Sequence, residues 1–326
     1  MTDFILLEKI QRILKDIAKP RLTFRKGIWT SGYFRPYMSL ADYTDASIFK
    51  TSDTIVPVRV RFSSLLGDNG TADTARNIKS MGIRFESDAG VYDMLCQSIP
   101  VLMINDKKDL LSFIDAFTVR DRFDGINTAE LWKFIINDPK ALNFVIRLYS
   151  YIGILDSYIN INYYSVNIYL WKNNKGEEWV VKCKWMPVKD NYTNDYMNNC
   201  HIGRTEAEFI AGYDPHKAIE EIENRVMAND FIQFELFVQM IKKRCLTNDL
   251  YYDHTYNWED TKVPYLSVGS LILNKVTANS DDLVLCPGNT IDGIELWKNG
   301  LVDVLDYMCM IENLERGTSS WNTSNK

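Results

Sequence analysis

The chain is poor in the residues on which nucleophilic and metal-assisted catalysis most often depends. Only three histidines, His201, His216 and His254, occur among 326 residues. They form no HExxH and no close pair, which weighs against a metallohydrolase or a histidine-relay enzyme. GxGxxG, GxxxxGKS/T and GxSxG are all missing, so nucleotide-binding and serine-hydrolase classes start without support. The six cysteines, Cys96, Cys183, Cys200, Cys245, Cys286 and Cys309, include no CxxC pair. Neither a zinc knuckle nor a disulfide framework is signalled, and most are expected to be core thiols. Excess positive charge is lacking too: 37 Lys and Arg stand against 43 Asp and Glu, a net charge of -6. A broad cationic surface for gripping phosphates is therefore excluded, and nucleic acid is not an expected partner. No apolar run reaches the ~18 residues of a membrane span. Asp3 and Glu8 stand where a leader peptide would be basic, so the expectation is a cytoplasmic protein with no transmembrane segment.

What the sequence does have is apolar material, at 46% hydrophobic and 13% aromatic residues, enough for a large core. Leu6, Ile10, Ile13, Leu14 and Ile17 recur at helical spacing before Pro20, which predicts an amphipathic helix or arm over residues 1–19 that packs on the body or on a partner subunit. From residue 54 the period changes. Val56, Val58, Val60 and Phe62 alternate with Pro57, Arg59 and Arg61, the pattern of a half-buried strand with two arginines on its other face. Further strands are predicted at Met81–Glu86, Val91–Leu95, Val101–Ile104, Tyr163–Trp171, Trp179–Met186, Phe231–Met240 and Tyr265–Leu273, and about eight strands suggest a barrel. Helices are predicted at Asp109–Phe117, Thr128–Ile136, Pro139–Ile152, Pro215–Met227 and Gly300–Asn313. With no repeat and no linker, residues 20–317 read as one α+β domain, followed by a disordered Ser/Thr/Asn-rich tail over 318–326.

Several segments then resemble, in order and spacing, one known family. They are Arg21-Leu22-Thr23-Phe24-Arg25-Lys26-Gly27, Gly32-Tyr33-Phe34, Val60-Arg61-Phe62-Ser63-Ser64, Thr71-Ala72-Asp73-Thr74-Ala75-Arg76 and Gly82-Ile83-Arg84-Phe85. The likeness continues through Gly90–Asp93, Ile99–Val101, Gly153–Tyr158, Asn162–Tyr164, Phe234–Met240 and Gly293–Glu295. Together these resemble the haem catalases, in a minimal, catalase-related form without the long wrapping segment. The resemblance implies an eight-stranded antiparallel barrel with surrounding helices, a buried haem b as cofactor, and assembly into a homo-oligomer.

The departures from the family pattern carry the functional expectation. The family's catalytic histidine falls on Phe24, and a placed histidine relay is worth ~10²–10⁴-fold, so efficient dismutation of hydrogen peroxide is not expected. Its distal asparagine falls on Gln97, beside Ser98. The three arginines that hold haem propionates fall on Arg21, Arg61 and Arg316; they could equally be ordinary ion-pairing arginines. Leu110 and Phe113 fall on apolar distal positions, or are simple helix core. Ser63 matches a residue that orients the lost histidine, and is otherwise a barrel hydroxyl. Asp73 and Arg76 are expected in a structural turn or ion pair.

Counting without a gap from Gly293 puts the family's tyrosinate ligand on Cys309 and its arginine partner on Leu305. A thiol of pKa about 8.5 needs no guanidinium to become an anion on a metal, so Cys309 is expected as a haem-thiolate ligand whose sulfur favours O–O cleavage. The alternative ligand is Tyr307, two steps of ~100° round the helix, or none at all. The expected function is a haem-dependent oxidoreductase, peroxidase- or peroxygenase-like, that oxidises or rearranges a small organic substrate with a hydroperoxide in a biosynthetic setting. The alternatives are a non-enzymatic haem-binding or haem-sensing protein and a haem-free descendant.

Overall fold

A computed structural model describes residue 8 and residues 24–65, 70–118, 128–188, 202–277 and 283–315. The predicted arm over residues 1–19 (Glu8 apart), Arg21, Arg316 and the tail over 318–326 lie outside the described residues. The strands are β1 (Gly27–Pro36), β2 (Val56–Ser64), β3 (Lys79–Ser87), β4 (Gly90–Gln97), β5 (Tyr163–Ser165), β6 (Tyr169–Lys172), β7 (Glu178–Pro187), β8 (Ile232–Lys242), β9 (Tyr265–Val276) and β10 (Ile294–Leu296). The helices are α1 (Lys107–Thr118), α2 (Thr128–Asn137), α3 (Ala141–Tyr149), α4 (Arg204–Tyr213), α5 (Lys217–Met227) and α6 (Gly300–Glu315).

Every strand pairing is antiparallel, in the order β7-β5-β4-β3-β2-β1-β9-β8, and β8 returns to β7. Eight strands thus close a barrel, and closure removes the free edges that a sheet otherwise exposes. β6 continues from the far end of β7 and carries β10 on its other side. The alternation in β2 works as the sequence predicts: Val56, Val58, Val60 and Phe62 are buried in the main core, while Arg59 pairs with Glu86 at the surface. Aromatic rings fill the centre. Phe34 meets Phe49, Phe85 and Trp185 edge-on with centroids 5.7, 5.5 and 6.0 Å apart, the arrangement that aromatic quadrupoles favour. Gly32 sits at a bulge between β1 and β9 where a Cβ would lie 1.9 Å from the Ile272 carbonyl oxygen, so the two strands close there only around glycine.

Four sequence expectations are corrected. β1 begins where the pattern did not announce a strand. Val101–Ile104 is not a strand: the Val101 carbonyl takes the Gln97 side chain and the Leu102 amide donates to His254, leaving no ladder. Tyr163–Trp171 is two strands, broken where Val166 turns its amide to Leu95. α4 is an additional helix; Ala207 is its one buried residue, so it lacks the apolar stripe that periodicity detects. Among the described residues no helix is long and apolar enough to cross a membrane.

Candidate functional site at the barrel rim

Of the residues singled out by the sequence, Phe24, Ser63, Gln97 and Ser98 lie at one end of β1–β4, with Arg61 reaching back to Phe24. β1 and β2 pair with Gly27 opposite Ser63 and Trp29 opposite Arg61, so the chain just before β1 runs beside the end of β2. Phe24 has a φ of 56°, a left-handed conformation that costs a bulky side chain of order 1–3 kcal/mol. Three hydrogen bonds hold this stretch. Phe24 N donates to Leu65 O at 3.0 Å, and Arg61 Nη1 and Nη2 donate to the carbonyls of Phe24 and Arg25 at 2.7 and 3.1 Å. Arg61 is buried, and its guanidinium secures the backbone of Phe24, the residue on which the resemblance places the family's histidine.

A buried polar cluster lies beside it. Lys26 Nζ pairs with Asp73 Oδ1 at 2.9 Å and donates to the carbonyls of Thr71 and Pro215. Lys79 Nζ donates to Ser64 Oγ at 3.2 Å and to the Asp73 carbonyl, while Ser64 Oγ bonds Tyr158 Oη at 2.9 Å. Burial pushes Lys79 down to about 8, against the opposing pull of Asp73. Burial likewise raises Tyr158 well above an ordinary phenol, helped by the Asp73 charge. Asp73 lies in the turn expected for this stretch, where Ala75 N donates to the Ala72 carbonyl at 3.1 Å; its ion-pair partner is Lys26, and Arg76 donates to the carbonyls of Leu148 and Ser150. Ser63 is a buried barrel residue opposite Gly27 and Ser80.

Gln97 and Ser98 follow at the end of β4. Gln97 Nε2 donates to Val101 O at 2.8 Å, and Ser98 exchanges bonds with the backbone of Lys79 through both N and Oγ. Both side chains are buried and bond backbone groups of neighbouring residues. Leu110 and Phe113 of α1 and Leu305 of α6 do come together, in an apolar seam with Val101, Phe134, Leu301 and Val304. The structure therefore joins Phe24 with Arg61, Gln97 with Ser98, and Leu110, Phe113 and Leu305 with one another.

Cys309 is the principal correction. It forms a disulfide with Cys286, 23 residues earlier, with Cα atoms 5.6 Å apart. It belongs with Val284 and Cys286 in a small cluster apart from the seam that holds Leu305. A disulfide sulfur carries neither the proton nor the negative charge of a thiol, so the closed pair offers iron no thiolate. Nothing in the linear pattern marks Cys286 as the partner, because 23 residues of separation matches no motif and the meeting requires the loop over 283–289 to fold onto β4. That loop is fixed by Asp93, which is paired bidentately with Arg84 and accepts from Cys286 N at 2.9 Å and Asn289 Nδ2 at 2.7 Å. Cys96 and Cys183 are the buried core thiols expected.

These donors do not fit a haem held as the resemblance implies. The resemblance puts the phenyl ring of Phe24 at the relay position and the apolar Leu305 where it expects a guanidinium, while the Cys309 sulfur is bonded to Cys286 and Arg61 is engaged with two carbonyls. Of the propionate arginines, only Arg61 is among the described residues.

Comparison with known proteins agrees with the fold. The family model described as Catalase matches residues 1–304, ending inside α6 one residue before Leu305. Catalase-2 of Bacillus subtilis (strain 168) is 27% identical over 315 residues, covering 93% of this chain and 44% of the relative. Catalase of Methanosarcina barkeri is 27% identical over 303 residues, covering 90% and 58%, and Catalase-2 of Caenorhabditis elegans 25% over 301, covering 90% and 59%. The chain spans about half the length of the curated relatives it matches. A family match running from the first residue into the last described helix, on a closed antiparallel barrel, establishes that this chain belongs to the Catalase family.

Proposed function

We propose that this chain is a catalase-fold protein that does not dismute hydrogen peroxide. Family membership implies a haem site and an oxidoreductase ancestry. The observation that carries the proposal is Phe24: the residue at the relay position has no proton to give or take, and Arg61 and Leu65 hold its backbone in place. No described histidine substitutes for it. His254, the one buried among them, bonds Asn105, and burial pushes it down to about 3, so it stays neutral at ordinary pH. While the Cys286–Cys309 bond is closed, the reading is a haem-free scaffold.

A second reading has one observation in its favour, the apolar seam of Leu110, Phe113 and Leu305. Packed apolar side chains of this kind exclude water, and an apolar surrounding suits a small organic hydroperoxide better than hydrogen peroxide. Under it the protein is a peroxidase-like enzyme that oxidises or rearranges an organic substrate, haem b is the cofactor, and the assembly is a homo-oligomer.

Oxygen evolution from hydrogen peroxide by the full chain, after incubation with hemin, tests the first reading. The expected rate per subunit is at least ~10²-fold below that of an ordinary catalase, the lower bound for loss of a placed acid–base group. A rate within tenfold of such an enzyme would sink the proposal. Hemin-dependent consumption of cumene hydroperoxide, without oxygen release, would select the second reading.

A further inference from the structure

Apart from the barrel and the apolar seam, the described residues bring two sulfurs together in a small cluster of their own: Cys286 and Cys309, bonded to each other and buried with Val284. Both segments are held by bonds other than the disulfide. Cys286 N and Asn289 Nδ2 donate to Asp93, which Arg84 grips bidentately, and Arg84 Nη2 also donates to the Val284 carbonyl at 2.9 Å. Gly288 N donates to Asp306 Oδ1 of α6 at 2.8 Å, tying the loop to the helix that carries Cys309, and α6 is anchored by Leu301 and Val304 in the seam. Opening the bond therefore leaves two thiols within reach of each other, and re-closing needs little rearrangement. A polar donor serves the pair. Asn313 Nδ2 lies 3.0 Å from Cys286 Sγ and 3.7 Å from Cys309 Sγ, and its bond to the Cys309 carbonyl at 3.2 Å fixes where it points. A donor to sulfur favours the thiolate, which is the nucleophilic form. The thiols of the barrel are different: burial pushes Cys183 up to about 12 and Cys96 well above an ordinary thiol, so both stay protonated and inert. Cys286 and Cys309 keep 8% and 7% of their surface, against 0% for Cys96. So narrow an approach suits an oxidant of two heavy atoms.

We propose that Cys286 and Cys309 form a dithiol centre that reduces hydrogen peroxide without haem, at a site separate from the barrel rim. Cys286, next to the Asn313 donor, attacks one peroxide oxygen as the thiolate. The O–O bond breaks and an S–O bond forms; the sulfur is oxidised to a sulfenic acid, and the second oxygen leaves as water with the proton that the thiol gave up. The Cys309 thiol then attacks that sulfur. The S–S bond forms, the S–O bond breaks, and the departing hydroxide takes the Cys309 proton to give a second water. The closed pair seen in the structure is the product of this sequence. A dithiol reductant resets it: its thiolate attacks one sulfur, a mixed disulfide forms, and the reductant leaves as a cyclic disulfide after giving two electrons and two protons. One peroxide and one dithiol become two waters and one disulfide, and no oxygen is released. The inference goes beyond the lack of dismutation proposed above and stands whether or not haem binds elsewhere in the chain.

Full-length protein, reduced with dithiothreitol, freed of it and mixed with hydrogen peroxide in the absence of hemin, tests the proposal, with the thiols followed over time by alkylation and peptide mass. Cys245, an exposed free thiol of the same chain, is the internal standard. The Cys286–Cys309 bond is expected to re-form at least tenfold faster than the Cys245 thiol is lost, with one peroxide consumed for each bond formed and no oxygen evolved. In Cys309→Ser, which lacks the second thiol, dimedone is expected to capture a sulfenic acid on Cys286. Re-formation no faster than the loss of Cys245 would overturn the inference, as would a Cys309→Ser protein of native circular dichroism whose Cys286 takes up no dimedone. The wild-type comparison requires no variant to fold. Oxygen evolution after incubation with hemin is a separate readout, so this proposal and the preceding one fail separately.

Discussion

The interior of the barrel and its rim are built on different principles. Inside, Phe34, Phe85, Trp185 and their neighbours are held by apolar burial, which is non-directional and spread over many contacts. At the rim, Arg61, Lys26 and Lys79 are buried cations whose positions depend on a few directional bonds to carbonyls, one serine and one carboxylate. The interior tolerates sequence drift so long as volume and pattern persist, whereas each rim position can change its chemistry singly. That difference suits a chain that is only 25–27% identical to the named catalases and still closes an eight-stranded antiparallel barrel.

The largest effect is expected inside. Phe34→Ala removes a ring with no exposed surface and three edge-on partners, and should lower unfolding free energy by ~3–5 kcal/mol in urea titration. A loss below ~1 kcal/mol would mean that the interior is not the close-packed unit described.

A pH effect distinguishes the rim. Lys79 has its pKa lowered to about 8 in the fold, against 10.5 when exposed, so the fold carries a costly charge at neutral pH. Between about pH 8 and 10.5 the unfolded chain binds more protons than the native one, and stability must rise with pH over that window. Lys182, also lowered to about 8 by burial, contributes in the same sense. Lys79→Met should therefore reduce the rise in urea midpoint between pH 7 and 9.5 without abolishing it. An unchanged rise would show that Lys79 does not titrate in this range.

The smallest effect is at Gln97. If its amide serves the Val101 carbonyl and not a ligand, Gln97→Ala should cost ~1 kcal/mol and leave hemin titration curves unchanged. A several-fold change in hemin affinity with unaltered stability would return Gln97 to the ligand side.

Much of this protein was legible before any coordinates. The alternation of Val56, Val58, Val60 and Phe62 announced β2, because a pleated strand shows one face to the core at every second residue. Helices with an apolar stripe, such as α5 with Ala218 and Ile222 buried, were equally plain, whereas α4, burying only Ala207, was invisible to the same rule. The expectation that Phe24 stands at the family's histidine position was also readable, since the resemblance needs only position along the chain. The direction in which the Gln97 amide points, the two carbonyls that take the Arg61 guanidinium, and the bond between Cys286 and Cys309 were not.

Sequence by itself determined the strand pattern, the apolar content and the identity of the residues at each matched position, because these follow from local periodicity and linear order. Tertiary structure alone decided which partners those residues meet. Counting along one helix points Cys309 at iron, yet its sulfur is claimed by a loop that Asp93 and Arg84 draw in from elsewhere in the chain. The reason is physical: covalent and hydrogen bonds act over a few ångströms in space, and closing the barrel brings together groups that the chain keeps far apart.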